Sequence, residues 1–569
     1  MANTYKTVRL FYAFLFLYLV FGLHVFMHNQ GGAGLYLPFN MVGWAFVSVL
    51  ISIGVWHITS VKKISYSHGF KFYVAGFLVL LIPFLNPLAD WSQIGQLRFY
   101  GLMAGIFLFL SFSQFQFDKN ERNVILYFLL LAVAIESLLG LVQFFVLKDG
   151  NWIGYNTKIN RPYGIFQKDS VFSSFLAVGL AIAFYQTRWD ESLSFSRWRK
   201  ILLGFIFISV PLLLVQIQSR AGIYGAVLVT IFMLPIMWSF NRRYSGSIIC
   251  LLLIGLGLGM GLYHPMRDAN SYMVTTNFRK LYWSHSLSMW LKHPWFGYGY
   301  GSFEYTFLHG FYAPENIKPG MVLMEENLDH PHNEIIFWLY EGGIVAVIGL
   351  VLFAIGYISS LVNCTGWAKR ISLVALVLPL LFHSMVEYPF YHSVAHFFFF
   401  VVFLWLADAE SGQQKTVVCN YWFLARFIAI LIPLVVVPFM LTGLQEAYLL
   451  TKYVRMKDKN PQMLEQIINP LPWMMAYEFE MRNVQLTFSA AMHDKAGLES
   501  YVSWAKQFLR NTPRAVVYGQ LVYALQQLNE KTQAQFWLDE GKRLFPHADF
   551  LQRIYLTSNA VMTGINKER

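Results

Sequence analysis

The segment His330-Pro-His-Asn-Glu334 stands directly before the apolar run Ile335–Ser359, IIFWLYEGGIVAVIGLVLFAIGYIS. The hydrocarbon core of a bilayer is about 30 Å thick and takes about 20 apolar residues of helix to cross, so the run is long enough to span a membrane. A polar region, residues 264–334, precedes it. Two histidines, an amide and a carboxylate are therefore predicted to lie where a large loop meets a transmembrane helix.

The composition of the whole chain agrees with a membrane protein. Of its 569 residues 56% are hydrophobic and 13% are charged, whereas a soluble domain is usually about 25% charged. The formal net charge is +12. The basic residues form short clusters between apolar runs, and this pattern indicates that they set the orientation of the chain in the membrane rather than bind nucleic acid. The three cysteines, Cys250, Cys364 and Cys419, have no metal-ligand spacing, and we expect no disulfide framework.

Apolar runs of this length predict an all-α, polytopic membrane protein with about thirteen transmembrane helices. The first run, Val8–Met27, is interpreted as a retained span rather than a cleaved secretory signal. The predicted spans are residues 8–27, 41–60, 69–87, 95–116, 123–147, 171–187, 201–218, 222–240, 247–263, 335–359, 371–386, 393–408 and 421–445.

Every second connection between these spans carries Lys or Arg, so the positive-inside rule places the N-terminus in the cytoplasm. Four regions then face the outside: residues 148–170, the turn 219–222, the loop 264–334 and the corner 387–392. Residues 1–445 form the predicted transmembrane domain, and residues 446–569 a helical domain on the outer side.

The C-terminal domain has the marks of a helical repeat. Pro513 and Pro546 are 33 residues apart, close to the tetratricopeptide period of about 34 residues. Two helices are predicted between them, with apolar faces that include Val517, Leu521 and Leu525 on the first and Phe536 and Leu544 on the second. Concave faces of such repeats suit binding of a protein or peptide.

Three basic residues of the outer regions are candidates for binding an anion. Arg220 follows a span directly, and its guanidinium fits a phosphate with two hydrogen bonds; the alternative is an interfacial arginine that reaches lipid headgroups. Arg161 and Lys168 lie in Asn160-Arg-Pro-Tyr-Gly-Ile-Phe-Gln-Lys-Asp169, a segment typical of a shaped loop. An ordinary solvated loop is the alternative for this pair.

The two histidines leave three interpretations open. Asn333 is a good helix N-cap, which explains the amide but not His330 and His332. A zinc site would need more ligands, and His264, His293 and His309 are poorly spaced for it. A general base is the third interpretation, because histidine titrates near neutral pH and can take a proton from an alcohol. We favour His332 as the base and treat His330 as a supporting or binding residue.

The large loop also contains Arg279-Lys-Leu-Tyr-Trp and the glycine-rich run Pro294-Trp-Phe-Gly-Tyr-Gly-Tyr-Gly-Ser-Phe303. The run lacks the Gly-Lys-Ser/Thr ending of a phosphate loop. Alternating glycine and aromatic residues suit a close-packed turn, or a surface on which sugars stack. The acids Glu325, Glu326 and Asp329 are interpreted as solvated.

These motifs together resemble the bacterial O-antigen ligase and polymerase (Wzy_C) superfamily, and most closely its O-linked protein oligosaccharyltransferase branch, the PglL type. The resemblance rests on Ser219-Arg-Ala-Gly, on Arg279-Lys-Leu-Tyr-Trp with the glycine-rich run, and on His332-Asn-Glu-Ile-Ile-Phe-Trp-Leu-Tyr-Glu-Gly-Gly. Arg161-Pro-Tyr-Gly-Ile-Phe-Gln and the C-terminal helical extension are similar to the PglL branch. The family usually continues Gln-Pro-Asn where this chain has Gln167-Lys-Asp, which puts in doubt any role of the asparagine.

The resemblance implies a GT-C-like glycosyltransferase that needs no cofactor or metal. Its donor would be an oligosaccharide on undecaprenyl diphosphate, and its acceptor a Ser or Thr of an exported, pilin-like protein in the periplasm. His332 would be the base, and Arg161 and Arg220 would hold the diphosphate. Gln167 and Tyr388 match further functional positions, with Tyr391 a rival of the latter. The remaining substrate-binding candidates are Lys168, Arg279, His330 and Asn333.

Two other functions stay open. The same fold could ligate O-antigen to lipid A-core or polymerise its repeats, although a lipid acceptor does not obviously need the C-terminal domain. A transporter of lipid-linked glycan would place its charges along a path through the bundle. The polar candidates gather in the outer loops instead, which favours chemistry at the membrane surface.

Overall fold

The computed structural model describes residues 2–86, 92–193, 196–263, 265, 269–314, 316, 323 and 327–554. The predicted features His264, Glu325 and Glu326 lie outside these residues. The helices are α1 Ala2–Val20, α2 Pro38–Val61, α3 His68–Leu81, α4 Ser92–Gln114, α5 Lys119–Phe145, α6 Asp169–Trp189, α7 Arg197–Ile217, α8 Arg220–Phe240, α9 Arg242–Gly261, α10 Ala269–Trp290, α11 Phe303–Phe311, α12 Glu334–Asn363, α13 Trp367–Ser384, α14 Pro389–His392, α15 Val394–Ser411, α16 Trp422–Arg455, α17 Met474–Ala491, α18 Lys495–Asn511, α19 Ala515–Gln527, α20 Lys531–Leu544 and α21 Asp549–Gln552.

Within the described part of the chain, 13 helices are long and apolar enough to cross a membrane. This confirms the prediction of an all-α, polytopic membrane protein. The last of these helices, α16, has 34 residues and continues ten residues past the predicted end of its span. A short antiparallel pair, β1 Lys63–Tyr66 with β2 Lys415–Val418, was not expected from the sequence.

The helix α6 lies at the centre of the bundle. Its span is 94% buried, whereas the span of α16 is 11% buried and lies at the periphery. Close packing against α8 explains the small residues at this crossing, because a Cβ on Gly222 would lie 2.4 Å from the Cβ of Ser173. The loop that ends at Lys168 is therefore attached to the most enclosed helix of the protein.

The helix α12 is interrupted at Gly343, whose φ and ψ are 64° and −161°. The glycine-rich run fills this break, since Tyr298 N donates to Tyr340 O at 3.0 Å and Ile344 N donates to Pro294 O at 2.9 Å. A Cβ on Gly297 would lie 2.3 Å from Tyr340 O, so only glycine fits this approach.

This arrangement confirms that the run is a close-packed turn. Tyr300 is buried in it, and the Tyr298 ring stacks on Tyr340. Both tyrosine rings are therefore used in packing.

The C-terminal region contains the helices α17 to α21, and α19 and α20 lie between Pro513 and Pro546 as predicted. Val517, Leu521 and Leu525 are buried, but Phe536 is exposed. The prediction for Leu544 is confirmed, whereas that for Phe536 was wrong because the rest of the buried face of α20 is formed by Ala534, Leu538 and Gly541.

The C-terminal helices pack on the large loop of the transmembrane domain. Their buried apolar side chains form one continuous cluster with those of α10, α11 and the start of α12. Arg514, before α19, forms an ion pair with Glu304 of α11, and Arg543 of α20 donates to Tyr312 O at 2.8 Å. The C-terminal helices are thus attached to the loop that leads to His330.

Candidate functional site

The start of α12 is fixed by Asn333. Its side-chain oxygen accepts from Ile336 N at 3.0 Å, as an N-cap does. Its side-chain nitrogen donates to Met385 O at 3.0 Å, just after α13. Asn333 is therefore the predicted cap, and it also joins the start of α12 to the corner that contains Tyr388.

His332 precedes this cap in the left-handed conformation, with φ 55°. A residue other than glycine pays about 1–2 kcal/mol for this conformation, so the surrounding structure must hold it. The side chain is buried, and its ring lies parallel to that of Tyr282 on α10 at a centroid distance of 6.1 Å. The strained turn places the His332 ring against α10 instead of in solvent.

His330 is held by a carboxylate on one side and two rings on the other. Its Nδ1 lies 2.5 Å from Oδ1 of Asp329, and its ring centroid lies 3.6 Å from that of Tyr388 and 4.3 Å from that of His332. Burial lowers the pKa of His330 to about 4, against the opposing effect of Asp329. The imidazole is therefore neutral at pH 7 and donates Nδ1–H to Asp329.

The Nε2 atom of His330 then carries a lone pair. It is buried and has no hydrogen-bond partner among the described residues. An unsatisfied buried acceptor costs about 1–3 kcal/mol, so a hydroxyl donor at this position would be favourable.

Glu387 is the centre of a charged cluster beside the histidines. One carboxylate oxygen, Oε2, accepts from Ser170 Oγ at 2.6 Å and lies 3.2 Å from Lys168 Nζ. The other oxygen, Oε1, lies 3.3 Å from a guanidinium nitrogen of Arg279, and His383 Nε2 lies 3.4 Å from Oε2.

Burial raises the pKa of Glu387, but the charge of Lys168 and the hydrogen bond from His383 outweigh burial, and the net pKa lies well below its usual range. Glu387 is therefore ionised at neutral pH. Its charge holds Lys168 and Arg279 together although they come from loops more than 100 residues apart.

Tyr388 connects the charged cluster to the histidines. Lys168 Nζ lies 4.7 Å above the centre of its ring, a cation–π contact, and the His330 ring packs on it edge to face. Its rival Tyr391 donates to Glu334 at 2.7 Å and lies 6.5 Å from Tyr388 between ring centres. Of the two tyrosines, Tyr388 makes the described contacts with Lys168 and His330.

The loop with Arg161 is held from below by polar side chains of α5. Gln143 Oε1 accepts from the backbone nitrogens of Tyr163 and Gly164, both at 2.9 Å, and Glu136 Oε2 accepts from Ile165 N at 2.9 Å. A buried amide and carboxylate inside the bundle thus serve as anchors for the loop backbone. This confirms a shaped loop, and Gln167 lies in it with φ 56°, directly before Lys168.

Arg161 and Arg220 both lie at the turn between α7 and α8. Arg161 donates to Ile217 O at 2.7 Å and forms an ion pair with Asp169. Arg220, the first residue of α8, donates to the hydroxyls of Thr275 and Thr276 at 3.0 and 2.7 Å. Both arginines therefore have protein partners rather than a purely interfacial position.

The helix α10 links this turn to the charged cluster. Thr275 and Arg279 are four residues apart, so both lie on one face of the helix. Through these contacts the structure brings Arg161, Arg220, Arg279, Lys168, Tyr388, His330, His332 and Asn333 into one continuous site on one side of the bundle, which we call the loop side.

Glu387 is the site residue that sequence reasoning missed. It lies in the predicted outer corner 387–392, and a carboxylate placed among four basic outer residues was a signal that could have identified it. No spacing rule, however, links it to Lys168 or Arg279, because the contact exists only after three loops converge.

Within the described residues, no group of three or more His, Cys, Asp or Glu side chains is placed to hold a metal ion.

Two family models match the chain. The model described as O-antigen ligase matches residues 203–353, which include Arg220, Arg279 and both histidines. The model described as virulence factor membrane-bound polymerase, C-terminal, matches residues 371–559, which include Glu387 and Tyr388. The matches support the O-antigen ligase superfamily. No curated protein matches the chain significantly.

The two matches divide the site between them. The O-antigen ligase match contains both histidines, Arg220 and Arg279. The C-terminal match contains the corner with Glu387 and Tyr388, which contact these residues, and it also contains the C-terminal helices. The matches support a membrane enzyme of the O-antigen ligase or polymerase type. Arg161, Gln167 and Lys168 lie outside both matched ranges.

Proposed function

We propose that this protein is a protein O-oligosaccharyltransferase. It transfers a glycan en bloc from undecaprenyl diphosphate to a Ser or Thr hydroxyl of an exported, pilin-like protein. The loop side faces the periplasm of a bacterial inner membrane, and the N-terminus is cytoplasmic. The observation that carries the proposal is the convergence of two buried histidines with four basic side chains on one side of a membrane-spanning bundle.

In the proposed reaction His332 takes the proton of the acceptor hydroxyl. The hydroxyl oxygen forms a bond to the anomeric carbon of the glycan, and the bond from that carbon to the diphosphate oxygen breaks. An alcohol is a weak nucleophile and needs such a base within hydrogen-bond reach. The proton stays on the imidazole, and the electron pair of the broken bond leaves with the lipid diphosphate.

The cations supply the second part of the chemistry. Arg161, Arg220, Arg279 and Lys168 offer fixed positive charge to the diphosphate, which gains negative charge as it leaves. Arg161 is paired with Asp169, and Arg279 and Lys168 are paired with Glu387; these carboxylates accept the same hydrogen bonds as a phosphate. The diphosphate would replace carboxylate contacts with phosphate contacts, and it therefore meets donors that are already oriented.

The remaining candidates have binding roles. Asn333 holds the start of α12. Tyr388 contacts Lys168 with its ring, and Gln167 directly precedes Lys168 in the loop. His330, neutral and fixed by Asp329, offers Nε2 as an acceptor to a hydroxyl of the glycan or of the acceptor.

A protein acceptor is favoured over a lipid by the C-terminal helices. They pack on the loop that leads to His330 and expose a helical surface beside it. We infer that these helices form a tetratricopeptide-like repeat, whose surface would suit a polypeptide.

Polymerisation of glycan repeats is the second candidate, because the C-terminal match is to a family described as a membrane-bound polymerase. In that reaction the acceptor hydroxyl would belong to a second lipid-linked glycan. Ligation to lipid A-core is the related lipid-acceptor reaction.

Mass spectrometry of exported proteins from strains with and without the gene, together with lipopolysaccharide gels, separates these functions. Protein transfer predicts that a glycan mass on Ser or Thr disappears with the gene and stays absent with His332→Ala. Unchanged protein glycans with altered lipopolysaccharide ladders would contradict the proposal and favour the polymerase or ligase. Movement of labelled lipid-linked glycan across the membrane without any acceptor would favour a transporter.

A further inference from the structure

The long helix α16 shows where the membrane ends on the loop side. Its apolar stretch is bounded by Arg426 at one end and by Gln445 and Glu446 at the other. At 1.5 Å per residue the 19 steps from Arg426 to Gln445 cover about 29 Å, close to the hydrocarbon thickness of about 30 Å. Thr442 to Glu446 therefore lie at the membrane boundary on the loop side.

The segment that follows α16 folds back to this same level. Gln445 Nε2 donates to Gln466 O at 2.7 Å, and Ile468 N donates to Gln445 Oε1 at 3.2 Å. About one helical turn before Gln445 on α16, Thr442 makes a further contact: its Oγ1 accepts from Asn469 Nδ2 at 3.1 Å.

The end of the segment is held at the same height. Trp473 N donates to Glu446 Oε2 at 3.0 Å, and the buried Trp473 indole donates to Leu35 O at 2.8 Å. A Cβ on Gly443 would lie 2.8 Å from the Pro472 ring, so the segment touches the helix directly. Residues 466–473 are thus fixed at the membrane boundary along their whole length.

Two large apolar side chains of this segment, and two that follow it, are exposed. Ile468 is 73% exposed and Leu471 is 62% exposed, and Met474 and Met475 at the start of α17 are also exposed. We call Ile468, Leu471, Met474 and Met475 the apolar foot. Large apolar side chains grouped at this height are the pattern of a segment that lies in the interface.

We propose that the apolar foot inserts into the lipid leaflet on the loop side and seats the C-terminal helices on the membrane. The occupant is lipid because the foot continues the lipid-facing surface of α16, where Leu441 and Tyr448 are exposed just below and just above it.

The C-terminal helices are then held at two points. One is the apolar foot, and the other is the large loop, through the ion pair of Arg514 with Glu304. The foot sets the height of the helices above the bilayer, and with it the distance at which any macromolecule bound to them meets the site.

Depth-dependent quenching tests the insertion in the full-length protein. Cys250, the exposed cysteine, is replaced by serine, and Ile468→Cys or Leu471→Cys is labelled with an environment-sensitive fluorophore and reconstituted in phosphatidylcholine vesicles. Leu434→Cys, in the middle of the α16 span, is the lipid-exposed control, and Phe536→Cys on α20 is the matched exposed apolar control of the C-terminal helices.

Lipids with a quencher high on the acyl chain should reduce the fluorescence at positions 468 and 471 several-fold more than at position 536. Quenchers near the chain end should act more strongly at position 434 than at either foot position. Quenching at 468 and 471 no greater than at 536 would overturn the proposal, as would stronger quenching there by the deep quencher than by the shallow one. The result does not depend on the reaction that the site performs.

Discussion

Two arginine–glutamate pairs flank the start of α12, and they are built in different ways. The pair of Arg98 with Glu341 is closed. Its oxygen–nitrogen distance is 2.7 Å, and the two side chains are 11% and 1% exposed. The carboxylate also accepts from the backbone nitrogens of Gly301 and Phe303, and the guanidinium lies 4.3 Å from the centre of the Phe337 ring.

The pair of Arg279 with Glu387 is open. Glu387 is shared with Lys168, and the two cations are 22% and 28% exposed. A closed pair has its hydrogen-bonding groups committed to the protein, so its contribution is to the position of α12 and of the glycine-rich run. An open pair can exchange its carboxylate for another anion. The Arg98–Glu341 pair therefore stabilises the fold, whereas in our proposal the Arg279–Glu387 pair binds the ligand.

The largest effect expected from this difference is on folding. Arg98→Ala leaves the buried charge of Glu341 without its partner, which typically costs about 3–5 kcal/mol. Lys119→Ala, which removes an exposed ion pair with Glu191, should cost about 1 kcal/mol or less.

Thermal unfolding in detergent compares the two variants. A strongly lowered midpoint is expected for Arg98→Ala alone. If Arg98→Ala unfolds like the wild-type protein and loses only glycan transfer, the closed pair belongs to the site and the comparison fails.

The next effect is on transfer rate. Arg279→Ala and Lys168→Ala each remove one fixed cation, and loss of one such group from a charge-stabilising site costs on the order of 10²–10³ in rate. Lys158→Ala is the matched control, because Lys158 lies in the same loop as Lys168 but forms only an exposed pair with Asp149.

Initial rates with purified protein, lipid-linked glycan and acceptor measure these changes. The rate of Lys158→Ala should stay within a factor of two or so, as for most surface substitutions. Equal losses of rate for Lys158→Ala and Lys168→Ala would show that both lysines act only through the overall charge of the surface, and would contradict a specific role of Lys168.

The closed and open pairs also show how far the sequence predicts this protein. Hydropathy is a local property, so the 13 spans and the loops that carry His332, Arg161 and Arg220 could be predicted. The pairing of Arg98 with Glu341 joins residues 243 positions apart, and no local pattern contains it. Glu387 was missed for the same reason.

The glycine-rich run shows the limit from another side. Its composition predicted a tight turn, but the partner of the turn is the break at Gly343 in α12. Glycines lie on both sides of this contact, Gly297 in the run and Gly343 in α12, but the break in α12 was not predicted because the contact forms only in the folded protein.

A further effect is expected at the loop that carries the open cluster. Gly164 has φ +59°, and an added Cβ would lie 2.4 Å from Glu136 Oε2. Gly164→Ala should therefore pay the left-handed strain of about 1–2 kcal/mol and a clash of about 1–3 kcal/mol. Gly154→Ala has φ +73° with no atom within 4 Å of the new Cβ, so it pays the strain alone.

Unfolding midpoints and transfer rates of the two variants should differ, with Gly164→Ala the lower in both. Identical behaviour would show that the anchor of the loop on α5 does not matter for the site.

The last effect expected is on the pH dependence of stability. The pKa of His330 is about 4 in the folded protein and about 6.5 when unfolded, so the unfolded state binds more protons between these values. Stability should therefore fall as pH drops from about 6.5 towards 4, by up to about 1.4 kcal/mol per pH unit. His330→Gln cannot titrate and should make this fall shallower by that amount. Parallel curves of unfolding midpoint against pH would contradict the burial of a neutral His330.

The central claim, that His332 is the base of a glycan transfer, is tested most directly in reconstituted vesicles. The rate of transfer from lipid-linked glycan to an acceptor protein is measured for the wild type and for His332→Ala, with unfolding midpoints of both. We predict a loss on the order of 10²–10³ in rate or more in a protein that remains folded. A His332→Ala protein that is folded and transfers glycan at the wild-type rate would contradict the account.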